Sequence, residues 1–397
     1  MKTHVFGLRN EFKKRRIATK IIAPRRSLTE DYGKDVILLG TSFPLNFGGS
    51  QSDFVVHFNS PVIDDLLTEE KFDVLHFHNF GFPSSFQILE KSNALNILTF
   101  HSNVESSEFL KAFPVFLYLL EKFAQWKIDG IIGVALLSLE VFKNYSGPKI
   151  IIPNGVDTER FNKKTPKIKK FDDGKINILF VGRIDERKGL IYLLKAYEIL
   201  KKKIENIRLI VVGDGELKEE CQDFVKSHNL KEVFFEGEKT HQELPSYFST
   251  SQIFVSPAIF GESFGIVILE AMAAGLPVVG FANQGYKEFM QGKKGEKFLV
   301  KPKNYKALAK KIEILIQNKN LRRGMSEWGI KETKKYSWSR IADQVLDFYR
   351  VCQKNKEKQG KEIFSLDEIV GQLDKILNKD VVELNKDIVN LLKKELK

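Results

Sequence analysis

Two series of alternating apolar and amphipathic segments run along the chain, one before residue 160 and one after residue 175. Strands are predicted where apolar residues are continuous, and helices where they recur every three or four positions. In the first series, strands are predicted at 19–23, 72–78, 96–101, 130–134 and 149–152, and helices at 4–16 and 113–126. Val5, Leu8 and Phe12 mark the buried face of the first helix. The alternation is typical of a parallel sheet covered by helices.

The second series predicts a second domain of the same α/β class. Its strands are predicted at 176–181, 208–212, 233–235, 253–256 and 278–281, and its helices at 190–204, 217–228, 243–248, 266–274, 305–317, 320–335 and 338–351. A chain of 397 residues is too long for one ordinary core, so two doubly wound parallel-sheet domains are expected. The predicted units are a first domain over 1–162, a polar linker over 163–175, a second domain over 176–337, a further helix over 338–353 and a tail over 354–397.

The tail combines lysines and acids with apolar residues at helical spacing, which predicts two or three amphipathic helices. Packing of these helices against the body is the simpler interpretation, and self-association through the tail is the alternative.

Composition predicts a globular protein without a membrane span. Hydrophobic residues make up 43% and charged residues 29% of the chain. The apolar run from Ala112 to Leu120 is too short to cross a bilayer, and the N-terminus lacks the pattern of a signal peptide. Cys221 and Cys352 lie far apart inside helical patterns, so they are interpreted as reduced thiols. A cytoplasmic location is therefore predicted, with peripheral contact at the inner face of the membrane as an addition.

The net charge is +12, and the first 30 residues hold nine Lys and Arg against two acids. This balance suits an anionic partner such as phosphate groups or an acidic lipid surface. A solvated helix face in a lysine-rich protein is the alternative interpretation. Nucleic acid is not predicted, because no aromatic stacking motif or known binding module accompanies the charge.

The stretch from Gly261 to Gly275 carries the strongest chemical signal. Glu262 is predicted in a loop and Glu270 on the second turn of the helix that follows, which Gly275 ends. Gly265 lacks a side chain, so a ligand can approach the first free backbone N–H groups of that helix. An anion site with two carboxylates beside it suits a sugar attached to a phosphate.

Two further loops follow predicted strands of the second domain. The first, Gly182 to Gly189, offers Arg183 and Lys188 to a diphosphate, while Arg187 is predicted to face solvent. The second contains Gly213 and Gly215. It fails the dinucleotide-binding pattern because Lys218 stands in place of the third glycine, so it is interpreted as a turn that lines the cleft.

Histidines end two predicted strands of the first domain. His101 lies at the cleft edge and is predicted to contact substrate, and His76 and His78 share one face of the preceding strand. A metal site at these histidines is not predicted, because no carboxylate or cysteine set with ligand spacing accompanies them.

These motifs, together with Ile152-Pro153-Asn154-Gly155-Val156-Asp157 and Phe100-His101-Ser102, resemble those of the retaining GT-B glycosyltransferases of glycosyltransferase family 4. Within that family the chain looks most like the phosphatidylinositol mannosyltransferase type. The resemblance covers roughly residues 4–350 and implies two Rossmann-like domains that face each other across a cleft.

The resemblance implies a role for each matching residue. Those assigned to the transfer chemistry are His101 near the transferred sugar, Arg183 and Lys188 at the diphosphate, and Glu262 at the donor sugar. Those assigned to donor binding are Gly182, Gly213, Gly215, Ser263, Phe264, Gly265, Ile266 and Glu270, with Glu270 at the ribose hydroxyls. The helix near Trp338 matches the one that crosses back to the first domain.

The implied reaction moves a hexose from a nucleotide-diphosphate sugar to a hydroxyl of a lipid-linked or glycan acceptor, with retention of anomeric configuration. No cofactor or metal is expected, since cations and N–H dipoles stabilise the departing phosphate. Glu262→Ala is predicted to abolish transfer with little change in melting temperature.

Family members usually begin with a strand and a Gly-Gly loop before the helix that matches 4–16. Here residues 1–3 lead directly into that helix, and Gly48-Gly49 lies in a later loop. A first sheet that lacks one strand is therefore expected, as is the absence of the loop that closes over the donor phosphates. The absent loop motivates one alternative, an inactive homologue that binds donor or acts as a scaffold. A second alternative is a nucleotide-sugar epimerase, because such enzymes have a similar two-domain fold and bind the same donors. The mannosyltransferases also use a basic amphipathic helix at lipid surfaces, and the helix ending at Arg16 is the candidate here.

Overall fold

The fold is described here from a computed structural model. The described residues are 2–25, 31–47, 50–56, 60–79, 83–101, 114–262 and 264–359. Ser263, Gly48, Gly49 and most of the predicted tail therefore lie outside the described residues.

The second domain is built on a six-stranded sheet in which every neighbouring pair is parallel. Its strands are β8 (Ile176–Val181), β9 (Ile207–Val212), β10 (Val233–Gly237), β11 (Ile253–Ser256), β12 (Val278–Phe281) and β13 (Leu299–Val300), in the spatial order β10-β9-β8-β11-β12-β13. Strands β9, β11 and β12 are buried along their whole length, which is why their sequences are mostly apolar.

The strands of the first domain form two sheets. A parallel sheet has the order β4 (Val74–His78), β5 (Leu95–Phe100), β6 (Gly130–Gly133) and β7 (Lys149–Ile151). A smaller sheet joins β1 (Ile21–Arg25) in parallel to β2 (Val36–Phe47), and β2 pairs with β3 (Ser50–Val56) in antiparallel register. Ile22 of β1 and Leu75 of β4 contribute to one hydrophobic cluster, so the two sheets share a core.

Helices cover the sheets and connect their strands. Those of the first domain are α1 (Lys2–Lys14), α2 (Ser60–Glu70), α3 (Pro83–Lys91), α4 (Pro114–Lys127) and α5 (Leu136–Leu139). Those that follow β8 are α6 (Leu190–Lys201), α7 (Lys218–Ser227), α8 (Leu244–Thr250), α9 (Ile266–Ala273), α10 (Gln284–Met290), α11 (Tyr305–Gln317), α12 (Lys319–Thr333) and α13 (Trp338–Gln359). None of the helices in the described ranges has the length and apolar composition needed to cross a bilayer.

Helix α13 follows the second domain but packs on the first. Its buried residues Trp338, Ile341 and Phe348 belong to one hydrophobic cluster with Leu8 of α1 and Ile97 of β5. Trp338 lies where a Cβ on either Gly7 or Gly155 would be, so these two glycines allow α1 and the loop after β7 to close around the indole.

The predicted fold class is confirmed: the chain is an α/β protein with two Rossmann-like parallel sheets and a C-terminal helix. The antiparallel β2–β3 pair and the short elements α10 and β13 were not predicted. On α1 the predicted burial of Val5 is wrong, because His4 takes the fully buried position and Val5 is half-buried. Cys221 and Cys352 are buried free thiols, as predicted.

Candidate active site

The order of strands in the second domain places a ligand crevice between β8 and β11. Strands β9 and β10 extend the sheet to one side of β8, whereas β11, β12 and β13 extend it to the other. In open parallel sheets, ligands bind outside the carboxyl ends of the strands at such a switch point. The segment after β8 is 182–189 and the segment after β11 is 257–265, so two of the predicted site loops meet there.

Backbone contacts fix these two loops against each other. The N–H of Ile259 donates to the carbonyl of Arg187 at 2.8 Å. Gly189 caps α6 in the left-handed conformation, at φ +66°, and a Cβ there would collide with the carbonyl oxygen of Pro257. The carboxylate of Asp185 accepts from the N–H of Lys188 at 2.8 Å, which shapes the turn that carries the basic side chains.

Glu262 is the anionic centre of the crevice. Its Oε1 accepts from Nζ of Lys188 and from a guanidinium N–H of Arg187, each at 2.6 Å, and only 9% of the residue is exposed. Burial alone raises the pKa of Glu262, but the charges of Lys188 and Arg187 outweigh it and hold that pKa below its ordinary value. Glu262 is therefore ionised at neutral pH and cannot serve as a proton donor.

The structure corrects the prediction for Arg187, which does not face solvent but pairs with Glu262. The exposed basic residue of this loop is Arg183, which has no ion-pair partner within the described ranges. Arg183 is therefore available to an anion, whereas Lys188 already contacts a carboxylate. The sequence does not distinguish Arg187 from Lys188, because both follow the same strand at similar distance.

Gly213 and Gly215 allow the loops after β8 and β9 to lie side by side. The N–H of Gly182 donates to the carbonyl of Val212 at 3.0 Å, and the N–H of Ile184 donates to that of Asp214 at 2.9 Å. A Cβ on Gly213 would collide with the carbonyl oxygen of Gly182, and one on Gly215 with that of Ile184. Both glycines are thus required by close backbone contact, and their predicted contact with donor stays a prediction.

Glu270 lies on the second turn of α9 and is 8% exposed. Burial raises its pKa to about 7, although the positive charge of Arg160 acts in the opposite direction. The Glu270 carboxylate has no hydrogen-bond partner among the described residues, whereas Arg160 donates to the carbonyl of His241. An unpaired carboxylate in a buried position is costly, so a ligand with hydroxyl donors would stabilise it.

The start of α9 is held by packing beneath it. Gly265 caps the helix at φ +78°, and a Cβ there would lie 2.5 Å from Cε1 of Tyr286. The hydroxyl of Tyr286 hydrogen-bonds Ser256 at 2.7 Å. The side chain of Phe264 is buried against Phe289, with ring centroids 5.1 Å apart. Phe264 can therefore offer only its backbone to a ligand, and Ile266 follows as the first helical residue.

Four histidines cluster at the carboxyl edge of the parallel sheet of the first domain. His76 and His78 end β4, and His101 follows β5. The fourth is His4 of α1, whose ring lies 4.8 Å from that of His101 between centroids. Nδ1 of His78 lies 3.1 Å from Nε2 of His101. The structure thus brings His101 together with His4, which was not among the predicted site residues.

Burial determines the protonation of these histidines. It lowers the pKa of His4 to about 4 and that of His76 to about 3, and it holds the pKa values of His78 and His101 well below their ordinary value. All four rings are therefore neutral at physiological pH and present lone pairs as well as N–H donors.

Two hydrogen bonds described by the structure join the first domain to the second. The carboxylate of Glu288 on α10 accepts from the N–H of Leu136, which begins α5 in the first domain, at 2.8 Å. The N–H of Val156 donates to the carbonyl of Tyr336 at 2.8 Å, where the chain passes between domains. Helix α10 also carries Tyr286, so the element that supports Gly265 touches the opposite domain.

Two residues of the site were missed from the sequence, His4 and Arg160, and Arg187 was named but placed wrongly. His4 lies four positions before Leu8 and eight before Phe12, so helical spacing already put it on the buried face of α1. Arg160 is 110 positions from Glu270, and only the folded chain brings them near each other.

The predicted basic helix is largely neutralised within the protein. Arg9 and Lys13 pair with Asp35, and Arg15 pairs with Glu11 on its own helix and with Asp343 on α13. These pairs tie α1 to the body of the protein and reduce the charge available to a partner.

Two family models together match almost the whole chain: "Glycosyltransferase Family 4" over residues 1–160 and "Glycosyl transferases group 1" over residues 161–332. The chain is 30% identical over 291 residues to an uncharacterized glycosyltransferase of Methanocaldococcus jannaschii, covering 72% of this chain and 77% of that protein. The chain belongs to the GT-B glycosyltransferases, and it is a transferase enzyme.

The chain is also similar to the phosphatidyl-myo-inositol mannosyltransferase of Mycobacterium leprae. The two are 28% identical over 366 residues, which make up 90% of this chain and 94% of the relative. The mannosyltransferase of Mycolicibacterium smegmatis is 29% identical over 324 residues, or 79% and 80% of the two chains. The predicted family resemblance is therefore confirmed.

Solved structures show the same fold at lower identity. Sucrose-phosphate synthase from Thermosynechococcus elongatus superimposes with a TM-score of 0.66 at 19% identity, covering 89% of this chain and 93% of that one. The Anabaena protein HepE, solved in complex with UDP-glucose, gives a TM-score of 0.61 at 19% identity over 73% of this chain and 82% of that one.

Proposed function

We propose that this glycosyltransferase moves a hexose from a nucleotide-diphosphate sugar to an acceptor hydroxyl with retention of anomeric configuration. The observation that carries the proposal is the position of Glu262 between Lys188 and Arg187 at the switch point of the second sheet. A fixed carboxylate suits sugar hydroxyls, and the adjoining cations suit a diphosphate.

The donor is proposed to lie along the loops after β8 and β11. Its diphosphate would contact Arg183, which is exposed, and Lys188, which would then share its charge between Glu262 and phosphate. Its ribose hydroxyls would donate to Glu270. The buried, unpaired state of that carboxylate supports this assignment, as does the UDP-glucose complex of the Anabaena protein.

The proposed chemistry requires neither a nucleophilic carboxylate nor a metal. The bond between the anomeric carbon and the phosphate oxygen breaks, and the acceptor oxygen forms a bond to the same face of the sugar. The acceptor proton moves to the departing phosphate oxygen. Positive charge from Lys188 and Arg183 stabilises the phosphate as negative charge grows on it. His101, neutral and at the edge of the first sheet, is proposed to contact the transferred sugar.

The acceptor is proposed to be lipid-linked or a glycan. The similarity to mannosyltransferases named for phosphatidyl-myo-inositol supports the lipid-linked class. Peripheral contact with the inner face of a membrane through α1 would have to draw on Lys13 and Lys14, which are exposed but pair with Asp35 and Glu11.

The test is incubation of the purified protein with UDP-, GDP- and ADP-sugars, with and without lipid and glycan acceptors. We expect product only with an acceptor, an unchanged anomeric configuration by NMR, and no loss of rate when EDTA is added. Failure to bind any of the donors contradicts the proposal. A changed free nucleotide sugar in the absence of acceptor would instead establish an epimerase.

A further inference from the structure

The histidine cluster contains a buried ring nitrogen without a hydrogen-bond partner among the described residues, Nε2 of His4. Nδ1 of His4 lies 2.8 Å from Oδ1 of Asn154. Because an amide oxygen only accepts, the proton of this ring sits on Nδ1 and Nε2 carries a lone pair. Nε2 is buried and has no hydrogen-bond partner within the described part of the chain, and only 1% of His4 is exposed to solvent.

The rings of His78 and His101 lie beside His4. One nitrogen from each of His4, His78 and His101 lies within 4.8 Å of the other two. Nδ1 of His78 and Nε2 of His101 are 3.1 Å apart. Tetrahedral zinc with Zn–N bonds of about 2.0–2.1 Å separates its nitrogens by about 3.3 Å, so this pair is already near ligand spacing.

The surroundings hold the three rings in place. His76 stacks on His78, with centroids 4.4 Å apart, and both nitrogens of His76 are taken by Thr99 and Tyr349, each at 2.6 Å. Asn154 orients His4 in the way that outer hydrogen-bond partners orient metal-bound histidines.

We propose that His4, His78 and His101 form a site for a divalent transition metal of the zinc type, and that this ion excludes the donor sugar. Imidazole suits Zn²⁺, and three histidines leave a fourth position for water or an anion. The ion takes the ring nitrogen of His101 that would otherwise meet the sugar. The exclusion rests on the proposed function, whereas the site itself does not. The ion inhibits transfer and takes no part in it.

Binding is measured by titrating metal-free full-length protein with Zn²⁺ in a calorimeter, with Co²⁺ absorption as a report on ligand geometry. We expect one ion per chain and the visible bands of tetrahedral Co²⁺ with nitrogen ligands. His4→Gln and, separately, His78→Gln should remove this binding, and Asn154→Ala should weaken it by about 10-fold or more. His228→Ala, an exposed histidine outside the cluster, should bind as the wild type does.

Thermal melts of each variant separate loss of the site from loss of the fold, and Asn154→Ala gives a graded result if either glutamine variant unfolds. The site is overturned if the wild type takes up no stoichiometric Zn²⁺, or if His4→Gln, His78→Gln and Asn154→Ala all bind as tightly as His228→Ala. For the exclusion, Zn²⁺ should inhibit transfer by the wild type and EDTA should restore it. Binding without inhibition would overturn the exclusion alone.

Discussion

The ammonium group of Lys188 lies 2.6 Å from Oε1 of Glu262, and the two residues come from loops that follow different strands of one sheet. Arg187 shares the same oxygen. The carboxylate proposed to hold the sugar and the cation proposed to hold the phosphate therefore contact each other directly. Donor binding must divide the charge of Lys188 between the carboxylate and the phosphate.

Lys188→Met should lower kcat/KM by about a hundredfold, which corresponds to about 3 kcal/mol of transition-state stabilisation. The fold should persist, because Arg187 still pairs with Glu262. Steady-state kinetics with the identified donor is the measurement. Lys202→Met is the matched control, since Lys202 is exposed and, among the described residues, pairs with Glu198 of α6 alone. Equal losses in both variants would contradict the assignment.

Glu262→Ala should abolish transfer and also destabilise the protein. The sequence alone predicts little change in melting temperature, but the ion pairs of Glu262 with Lys188 and Arg187 predict a loss of stability. Removal of the carboxylate leaves Lys188 and Arg187 side by side without their anion, at a cost of about 1–3 kcal/mol. Urea denaturation of wild type and variant measures the cost. An unchanged free energy of unfolding would mean that the pairs contribute nothing to stability, and unaltered transfer would refute the role of Glu262.

Glu270→Gln should stabilise the ligand-free protein and weaken donor binding. Because the folded-state pKa is about 7 and the ordinary value 4.5, the stability contribution of Glu270 is full below about 4.5 and is lost as the pH rises through 7. The loss amounts to about 3 kcal/mol above that range, and glutamine avoids it. Denaturation at about pH 8 should show the gain. The control is Glu327→Gln, because Glu327 is an exposed glutamate on α12. If Glu270→Gln is stabilised but binds donor as tightly as the wild type, Glu270 is not part of the donor site.

Gly213→Ala should destabilise the second domain, because its Cβ would collide with the backbone carbonyl of Gly182. A cost of about 2 kcal/mol or more is expected from overpacking against backbone. Gly324→Ala is the control: nothing lies within 4 Å of its Cβ, and alanine in a helix is favoured by about 1 kcal/mol. Opposite shifts in melting temperature are predicted, and shifts of the same sign would contradict the close backbone contact.

Stability should fall as the pH drops below 6.5, because the histidines of the first domain are buried in their neutral form. His4 has a folded-state pKa of about 4 against an ordinary 6.5, so its contribution is full above 6.5 and is lost as the pH falls through 4. His4 alone accounts for about 3 kcal/mol. Glu270 acts in the opposite direction over part of this range, so the measurement is the difference in unfolding free energy between wild type and His4→Gln at several pH values. A difference that does not vary with pH would contradict burial of neutral His4.

The second domain was predictable because its strands are buried on both faces. The runs 176–181 and 253–256 are apolar except for Asn177 and Ser256, and both were predicted with the bounds that the structure shows, as was the helix over 305–317. The antiparallel pair β2–β3 was missed, since polar residues interrupt Val36–Phe47. Its strands are defined by pairing with each other rather than by a continuous apolar run.

The sequence points to candidate site residues, but it does not show which of them contact each other. Glu262 and Glu270 were chosen as site residues because burial of an unpaired carboxylate costs free energy. Arg187 pairs with Glu262, which is 75 positions away in the sequence. The ring of His4 contacts that of His101, which is 97 positions away. Spacing within one segment carries no information about such contacts.

The most direct test of the donor site is a calorimetric titration of UDP, GDP and ADP against wild type, Lys188→Met, Glu270→Gln and Lys202→Met. We predict that at least one nucleotide binds the wild type and Lys202→Met with equal affinity. Lys188→Met and Glu270→Gln should each lower the affinity for that nucleotide by about tenfold or more, which corresponds to about 1.4 kcal/mol or more of binding free energy. Equal affinity in all four proteins, or no binding by the wild type, would contradict a nucleotide-sugar site between the loops that carry Lys188 and Glu270.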